Sequence, residues 1–545
     1  MSQYITSLTN ICNEFMFWNV GDIVFIGAGT GKGKTTFIKK ELLEYAICTG
    51  RSILLLINRR SLNDQVTAEL EKYFYESHHT MYMQNIISGG ATHLPIEVRT
   101  YQWLEATQIM NAEWLKSYLD DFFYIVADES HYFLTDAVFN GNTFVSYHVI
   151  KKIRKDKVII YISATQERIK QKLLSEYSAE NIQRVWEYNC NNNYENVDIL
   201  YGNNLEDIVE YVVERGEKTL FCIPSISEGL KIQHIFEKKY NGKRVYLIDA
   251  SVKDKAKSIE QKIYNEIVET QKFTEDILLV TSFLENGISI VDDSLKIIVN
   301  LHSFYEPFMQ SLGRKRIQEN EKMTLILMQR STKYYFNKLH TEIYSYIRHY
   351  ITYVKQEPFT NAFLMSYDKE FKKNVEKFTY LKKDMPGFRC VNPLSYCEVE
   401  SRKRWLEYYI YAINLTGERT VINLQAFFWL GKTIDKIYPI RLKRENARSL
   451  LYEKLINLIG RKLTKQEAIK EFNSLRSYME AIGPLPKGMK TTDNISDNRM
   501  NQFFRQEGFC FTVIKHKGEN RKMEYEIIPE TLMVTIVDKP ILDSD

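Results

Sequence analysis

Cysteine is scarce in this 545-residue chain: seven residues are scattered between Cys12 and Cys510. None forms a C-x-x-C pair and none joins histidines at zinc spacing, so neither a disulfide framework nor a structural zinc site is encoded. The thiols are read as reduced and mostly buried. Long apolar runs are missing as well. Ser52–Ile57 and Val158–Ile162 are strand-sized, well short of the roughly 20 residues that cross a bilayer. The opening Met-Ser-Gln-Tyr has neither a basic nor an apolar leader region, so the expectation is a cytoplasmic protein with no membrane partner. Repeats and low-complexity tracts are also absent. What is present is a globular composition, 44% hydrophobic and 26% charged, at a length too great for one core.

The net charge of +4 is unevenly placed. Residues 331–545 carry 36 Lys and Arg against 26 Asp and Glu, a net +10, which leaves −6 for residues 1–330. A polyanion would therefore be drawn to the C-terminal part. The basic residues are densest between 441 and 470, where Arg441, Lys443, Arg444, Arg448, Lys454, Arg461, Lys462, Lys465 and Lys470 face only Glu445, Glu453 and Glu467.

From Asp22 to about Met328, short apolar runs alternate with amphipathic stretches. The candidate strands are Ile23–Ile26, Ser52–Ile57, Glu97–Arg99, Phe123–Ala127, Val158–Ile162, Thr219–Ile223, Arg244–Ile248, Ile277–Val280, Lys296–Asn300 and Met323–Met328. Strands separated by helix-length segments predict parallel sheets with crossover helices, and ten strands are too many for one compact sheet. The asparagine-rich stretch Asn189–Asn196 reads as the linker between two sheets. Beyond Ser331 the alternation gives way to aromatic-rich helical patterns, as in Tyr334–Tyr353 and Arg402–Ile413. The tail reads as a helix Thr464–Ile482, a helix Asp497–Glu507 and a hairpin Phe509–Lys515 with Lys522–Ile528. Helix, helix, ribbon is the order of a winged-helix module.

The sharpest local signal follows the first strand: Ala28-Gly29-Thr30-Gly31-Lys32-Gly33-Lys34-Thr35-Thr36, opening into the helix-like Phe37–Tyr45. Glycines let successive backbone N–H groups and a helix N-terminus converge on one anion. Lys34 would neutralise β- and γ-phosphates, and the Thr35 hydroxyl would ligate Mg²⁺. A second signal, Asp128-Glu129-Ser130-His131, follows the strand Phe123–Ala127. Carboxylates at a parallel strand's C-terminal end project into the ligand crevice. Asp128 suits a magnesium contact and Glu129 a general base for an attacking water.

With these residues in view, the sequence resembles the superfamily two helicases in their DExH-like branch. The family's A-x-x-G-x-G-K-T is matched by Ala28, Gly31, Gly33, Lys34 and Thr35, and its acidic motif by Asp128 to His131. Its Ser-Ala-Thr appears as Ser163-Ala164-Thr165. Asn58 to Gln65, with Arg60, matches the P-T-R-E-L-A-x-Q segment, and Thr100-Tyr101-Gln102 the short motif after it. Thr281-Ser282 with Glu285, Gly287 and Ile288 resembles the fifth motif, and Gln310 to Arg316 the sixth.

The resemblance covers residues 21–330 and implies an α/β fold of two tandem RecA-like domains, at 1–188 and 197–330. A helical accessory domain at 331–460 and a winged-helix domain at 461–545 would follow. It further implies ATP and Mg²⁺ in the cleft, Gly287 against the nucleotide, and an arginine finger, Arg314 or Arg316, from the second lobe. Gln310 and His131 join the catalytic set through their motifs. Ser163 and Thr165 would couple that site to nucleic acid, whose phosphates would be held by Arg60, Thr100 and Thr281. The activity implied is ATP hydrolysis coupled to movement along, or unwinding of, DNA. DNA is preferred to RNA because of the winged-helix order. The alternatives are an RNA helicase and an ATP-dependent clamp, assembly or defence factor that does not unwind. Three departures stand out: Ser311 and Ile317 occupy positions where the sixth motif usually has arginine, and Ser289 stands where the fifth often has an acid. No upstream glutamine reads adenine. Phe15, Phe17 and Trp18 lie upstream and are read as packing on the first sheet.

Overall fold

The computed structural model describes residues 2–5, 11, 13–29, 32–58, 67, 70, 72–73, 95–177, 184–190, 194–240, 244–253, 257–281, 290–317, 321–355, 359–360, 379–381, 388–417, 419–483, 485–486, 494–517 and 522–529. Seven parallel strands build a first lobe: β1 (Ser2–Ile5), β2 (Ile23–Gly27), β3 (Ile53–Ile57), β4 (Ile96–Thr100), β5 (Tyr124–Asp128), β6 (Val158–Ser163) and β7 (Val185–Cys190). They lie in the order β1-β7-β2-β6-β5-β3-β4. The central strands are apolar throughout because both faces are covered. Val24 and Ile26 join one core layer with Phe37, Leu42 and Leu43, and Ile23 and Phe25 join the other with Leu104, Leu115 and Tyr147. Register fixes where these strands end. Gly27 of β2 lies opposite Ser163 of β6, and Asp128 of β5 opposite Ile162.

A second lobe follows with β8 (Val197–Gly202), β9 (Lys218–Cys222), β10 (Tyr246–Ile248), β11 (Ile277–Val280), β12 (Leu295–Asn300) and β13 (Met323–Met328). These run parallel in the order β10-β11-β9-β12-β13-β8. The two parallel-sheet domains are the RecA-like pair that the motifs implied.

All ten candidate strands are present, but the sequence reading missed β1, β7 and β8. β7 is only half covered over Val185–Glu187 and carries polar residues, which hides its period. It also shortens the expected linker, because Asn189 and Cys190 belong to the strand. Asn189 pairs with Gly27, and its side chain accepts from Gln166 Nε2 at 2.9 Å.

The stretch 332–354 is helical throughout, through Thr332–Lys338, Leu339–Tyr344 and Ser345–Val354. A small antiparallel sheet comes next, β14 (Phe359–Thr360), β15 (Thr379–Leu381) and β16 (Phe388–Val391), in the order β14-β16-β15. The 24-residue helix Pro393–Thr416 then touches both lobes. Leu394 enters the first-lobe core, and Asn392 Nδ2, at its N-cap, donates to Thr143 Oγ1 at 2.8 Å. Tyr409 donates to the Ser303 carbonyl of the second lobe at 3.0 Å. Gly141 lies directly under β15, where a Cβ would stand 1.9 Å from the Thr379 carbonyl oxygen. Trp429 reaches the second-lobe core, and β17 (Ile437–Pro439) lies beside β8.

A separate compact unit comprises residues 207–216 and 439–545. Helices Lys443–Ile456, Lys465–Ser474, Arg476–Ile482 and Asp497–Glu507 enclose Leu451, Phe472, Met479, Phe503 and Phe504 with β18 (Leu463–Thr464), β19 (Phe511–Lys517) and β20 (Met523–Pro529). The strand order is β18-β20-β19. The expected helix Thr464–Ile482 is broken at Leu475. There the Asn473 side chain turns to accept from the Ile495 amide at 2.9 Å. The Asn501 side chain brackets Val513, accepting from its N–H at 2.7 Å and donating to its carbonyl at 2.9 Å, which ties the helix to the hairpin.

Glu105 is buried in the first lobe, with Tyr132 and Ser146 hydroxyls donating to Oε1 at 2.8 and 2.9 Å and Asn140 donating to Oε2 at 3.1 Å. Burial raises its carboxyl to about 6 against the opposing pull of these donors. The folded value lies above the ordinary 4.5. Its stabilising contribution is therefore full below pH 4.5 and is lost as pH rises through about 6. Glu105→Gln should consequently gain about 2 kcal/mol relative to the unmodified chain between pH 4 and 8, read from denaturant midpoints across that range. A pH-independent difference would refute this account.

Candidate nucleotide-binding site

β2 ends at Gly27, and Ala28 N–H donates to the Ser163 carbonyl at 3.1 Å, anchoring the loop against β6. Gly33 sits at φ 85°, a left-handed conformation that glycine adopts without steric cost, immediately before the helix that begins at Lys34. Gly29 and Lys32 line a cleft beside it. Thr35 and Thr36 are exposed on the first turn. Thr30 and Gly31 lie outside the described residues.

Lys34 Nζ donates to Glu129 Oε1 at 2.6 Å and stands 3.9 Å from Asp128 Oδ1. Burial disfavours the ammonium, but Glu129 and then Asp128 outweigh it and hold the lysine above its ordinary value. Burial likewise opposes the Glu129 carboxylate, yet Lys34 and His131 bring it down to about 2. Asp128 responds oppositely. Burial dominates, Lys34 is more distant, and its carboxyl is raised to about 6. Glu129 has φ 50°, a strained backbone position for a side-chain-bearing residue, and such strain is concentrated at functional sites.

His131 is buried, and burial brings it down to about 4, so the ring is neutral near pH 7. Its Nδ1 lies 2.9 Å from Ser163 Oγ, which also accepts from Thr165 N–H at 3.0 Å. The acidic motif and the Ser-Ala-Thr motif are thus one hydrogen-bonded unit.

The second lobe approaches through the helix Tyr305–Arg314. Gln310, Gly313, Arg314 and Arg316 line the same cleft as Gly29, Lys32 and Glu129. Arg314 is buried, and its charge acts on Lys34, Asp128, Glu129 and His131. Arg316 is exposed. Both are pinned by Ile290, whose N–H donates to Arg314 O at 2.7 Å and whose carbonyl accepts from Arg316 N–H at 3.1 Å. The two missing arginines have structural reasons. Ser311 is buried and donates back to Pro307 O at 2.6 Å, and Ile317 packs on the second-lobe core.

Thr100 and Thr281, expected to hold nucleic-acid phosphates, make intramolecular contacts in this structure. Thr100 Oγ1 caps the helix Tyr101–Met110 by accepting from Trp103 N–H at 3.0 Å. Thr281 lies at the end of β11 with its hydroxyl toward the Ile248 carbonyl at 3.4 Å. Arg60 and Gly287 lie outside the described residues. Phe15 and Trp18 pack against Phe37, whereas Phe17 is exposed. Two contributors escaped the sequence reading. Tyr194, within the asparagine-rich stretch, lines the cleft, and Tyr101 donates to the Asp128 carbonyl at 2.8 Å. Tyr101 stood inside a quoted motif, but nothing in that motif revealed its hydroxyl's target.

For magnesium, the donor set fits. Asp128 Oδ1 is buried without a hydrogen-bond partner, and the Thr35 hydroxyl is exposed close by in sequence to Lys34. Among the described residues no group of three His, Cys, Asp or Glu side chains is arranged to hold a metal ion by itself. One carboxylate, one hydroxyl and waters make up the sparse oxygen environment magnesium favours.

A phosphate-type loop, an acid pair and a facing arginine frame a two-lobed candidate nucleotide site. Residues 4–168 match the family model "Type III restriction enzyme, res subunit". No curated protein matches the chain. Among solved structures it is similar to the DEAD-box helicase Mss116 bound to ssRNA and UDP-BeF (14% identity, 62% of this chain and 72% of that one, TM-score 0.45). It is also similar to Mycobacterium smegmatis helicase Lhr bound to ssDNA and AMP-PNP (13%, 73% and 60%, TM-score 0.40). A third is S. cerevisiae Dbp5 bound to RNA and ADP BeF3 (15%, 56% and 79%, TM-score 0.38). Among the described residues no helix is long and apolar enough to cross a membrane.

Proposed function

We propose that the chain hydrolyses ATP in the cleft between its lobes and couples that reaction to movement along, or unwinding of, DNA. The observation that carries this reading is Arg314 of the second lobe facing Lys34 and Glu129 of the first across one cleft. Lys34 is paired with Glu129 in this arrangement, and triphosphate would compete for its ammonium. The released carboxylate is then free to orient and deprotonate water. Asp128 and Thr35 would hold Mg²⁺, which when bound neutralises phosphate charge. Arg314 neutralises charge on the transferring phosphoryl group. Because Arg314 belongs to the other lobe, hydrolysis depends on lobe geometry, and this links the chemistry to motion.

The preference for DNA rests on the C-terminal unit. Its helix, strand, helices and two-stranded ribbon follow winged-helix order, and all nine bases between 441 and 470 except Arg448 are exposed. Arg448 is instead engaged with the Glu507 carbonyl at 2.7 Å.

ATPase rates measured with single-stranded DNA, duplex DNA and RNA at several salt concentrations should rise most with DNA, and the stimulation should fall as salt increases. Greater stimulation by RNA would reassign the partner. Lys34→Ala should abolish turnover, and unchanged turnover would remove the nucleotide site from this cleft. Glu129→Gln should still bind a fluorescent ATP analogue while phosphate release falls about 10²–10⁴-fold. Arg314→Ala should lower kcat by about 10³-fold or more, with a smaller loss for exposed Arg316→Ala. The reverse ranking would make Arg316 the finger.

A further inference from the structure

The helix Tyr305–Arg314 is held at both ends. Arg314 lies at the nucleotide cleft, and Glu306 lies in the first turn, about 12 Å away along the axis at 1.5 Å per residue. Buried Glu306 accepts from Arg168 Nη1 at 2.6 Å. Arg168 belongs to the first lobe, at the start of the helix Glu167–Glu176 and three residues beyond Thr165. Its other terminal nitrogen, Nη2, donates to Glu398 Oε2 at 2.6 Å, and Glu398 Oε1 accepts from Arg402 Nε at 2.7 Å. One guanidinium therefore joins carboxylates from the second lobe and from the helix Pro393–Thr416. A planar fork can hold two carboxylates in fixed directions, which a lysine ammonium does not.

The same accessory segment braces the backbone just before this helix. Tyr409 donates to the Ser303 carbonyl at 3.0 Å and Gln425 Nε2 to the His302 carbonyl at 3.3 Å. As a source of stability, a buried ion pair seldom betters an apolar cluster, but removing one partner strands the others. What the charged version provides is a directional link that breaks as a unit. Burial alone would discourage the Arg168 charge, yet Glu398 and Glu306 outweigh it. The Glu398 charge is also felt at His131.

We propose that Arg168 is a positioning residue for Arg314: by joining Glu306 to Glu398 it fixes the helix that carries Arg314 and makes hydrolysis answer to the helix Pro393–Thr416. This rests on the reading of the cleft as an ATPase site. Arg168 reaches no reacting atom, so its effect passes entirely through Arg314.

The test is a double-mutant cycle in the full chain. It combines Arg168→Ala with Arg314→Lys, which retains enough charge for a residual rate. Arg168→Ala should lower kcat about 10-fold or more, as misplacement of a catalytic group does, while affinity for a fluorescent ATP analogue stays within about threefold. In the Arg314→Lys background the same change should cost less than about twofold, because coupled residues are not additive. Multiplicative losses, or an affinity loss matching the kcat loss, overturn the proposal. If Arg168→Ala fails to fold by circular dichroism, Glu306→Gln takes its place in the cycle, with the same outcomes decisive. Lys34→Ala separates the two readings. Hydrolysis that survives it sinks the ATPase site and this proposal together, whereas Lys34-dependent hydrolysis with multiplicative losses sinks only the positioning role.

Discussion

An ammonium largely withdrawn from water has to be paired, and Lys34 meets that requirement with a carboxylate just past a strand, 95 residues further on. The pairing works only because parallel register brings the ends of β2, β5 and β6 to one edge of the sheet. The left-handed turn at Glu129 then points its carboxylate at the lysine, while Asp128, one residue earlier, keeps an unpartnered oxygen. Burial pushes both carboxyls up; Lys34 and His131 overturn that at Glu129, whereas burial prevails at Asp128, which stands farther from the lysine. Ser163 and His131 extend the arrangement across the strand ends, and the second lobe completes it with Arg314.

What was legible in the sequence was chemistry that is local along the chain. The glycine-rich loop, the acid pair and the Ser-Ala-Thr triplet each follow an apolar strand, and parallel pairing of those strands is enough to make them converge. Strands with a continuous apolar run were equally readable. β7 was not, since it is half covered and ends in asparagine and cysteine. The link through Arg168 was invisible for another reason. Its partners lie 138 and 230 residues away, and an arginine or glutamate on an amphipathic helix looks the same whether it meets water or another helix. Motif matching also names positions without saying what their side chains do. Thr100 sits where the motif puts it, but its hydroxyl caps a helix.

In the C-terminal unit the order of elements was readable while their joints were not. Next to the break at Leu475 the Asn473 side chain accepts from the Ile495 amide, a contact across 22 residues that helix periodicity cannot register. The short strand β18 was equally hidden, because two residues give no alternation to detect. Its pairing with β20 joins the start of this unit's sheet to its end.

The seat at Gly141 bears on how the chain is made. The first lobe accepts the β15 backbone against Gly141, Asn392 against Thr143 and Leu394 into its core, and the Asn392 bond spans 249 residues. At ribosomal speeds of 5–20 residues per second, roughly 12–50 s separate synthesis of Thr143 from that of Asn392. Throughout that interval the emerging N-terminal lobe has an open notch and an incompletely filled interior. The packing of the first lobe is therefore completed only after the second lobe has been translated.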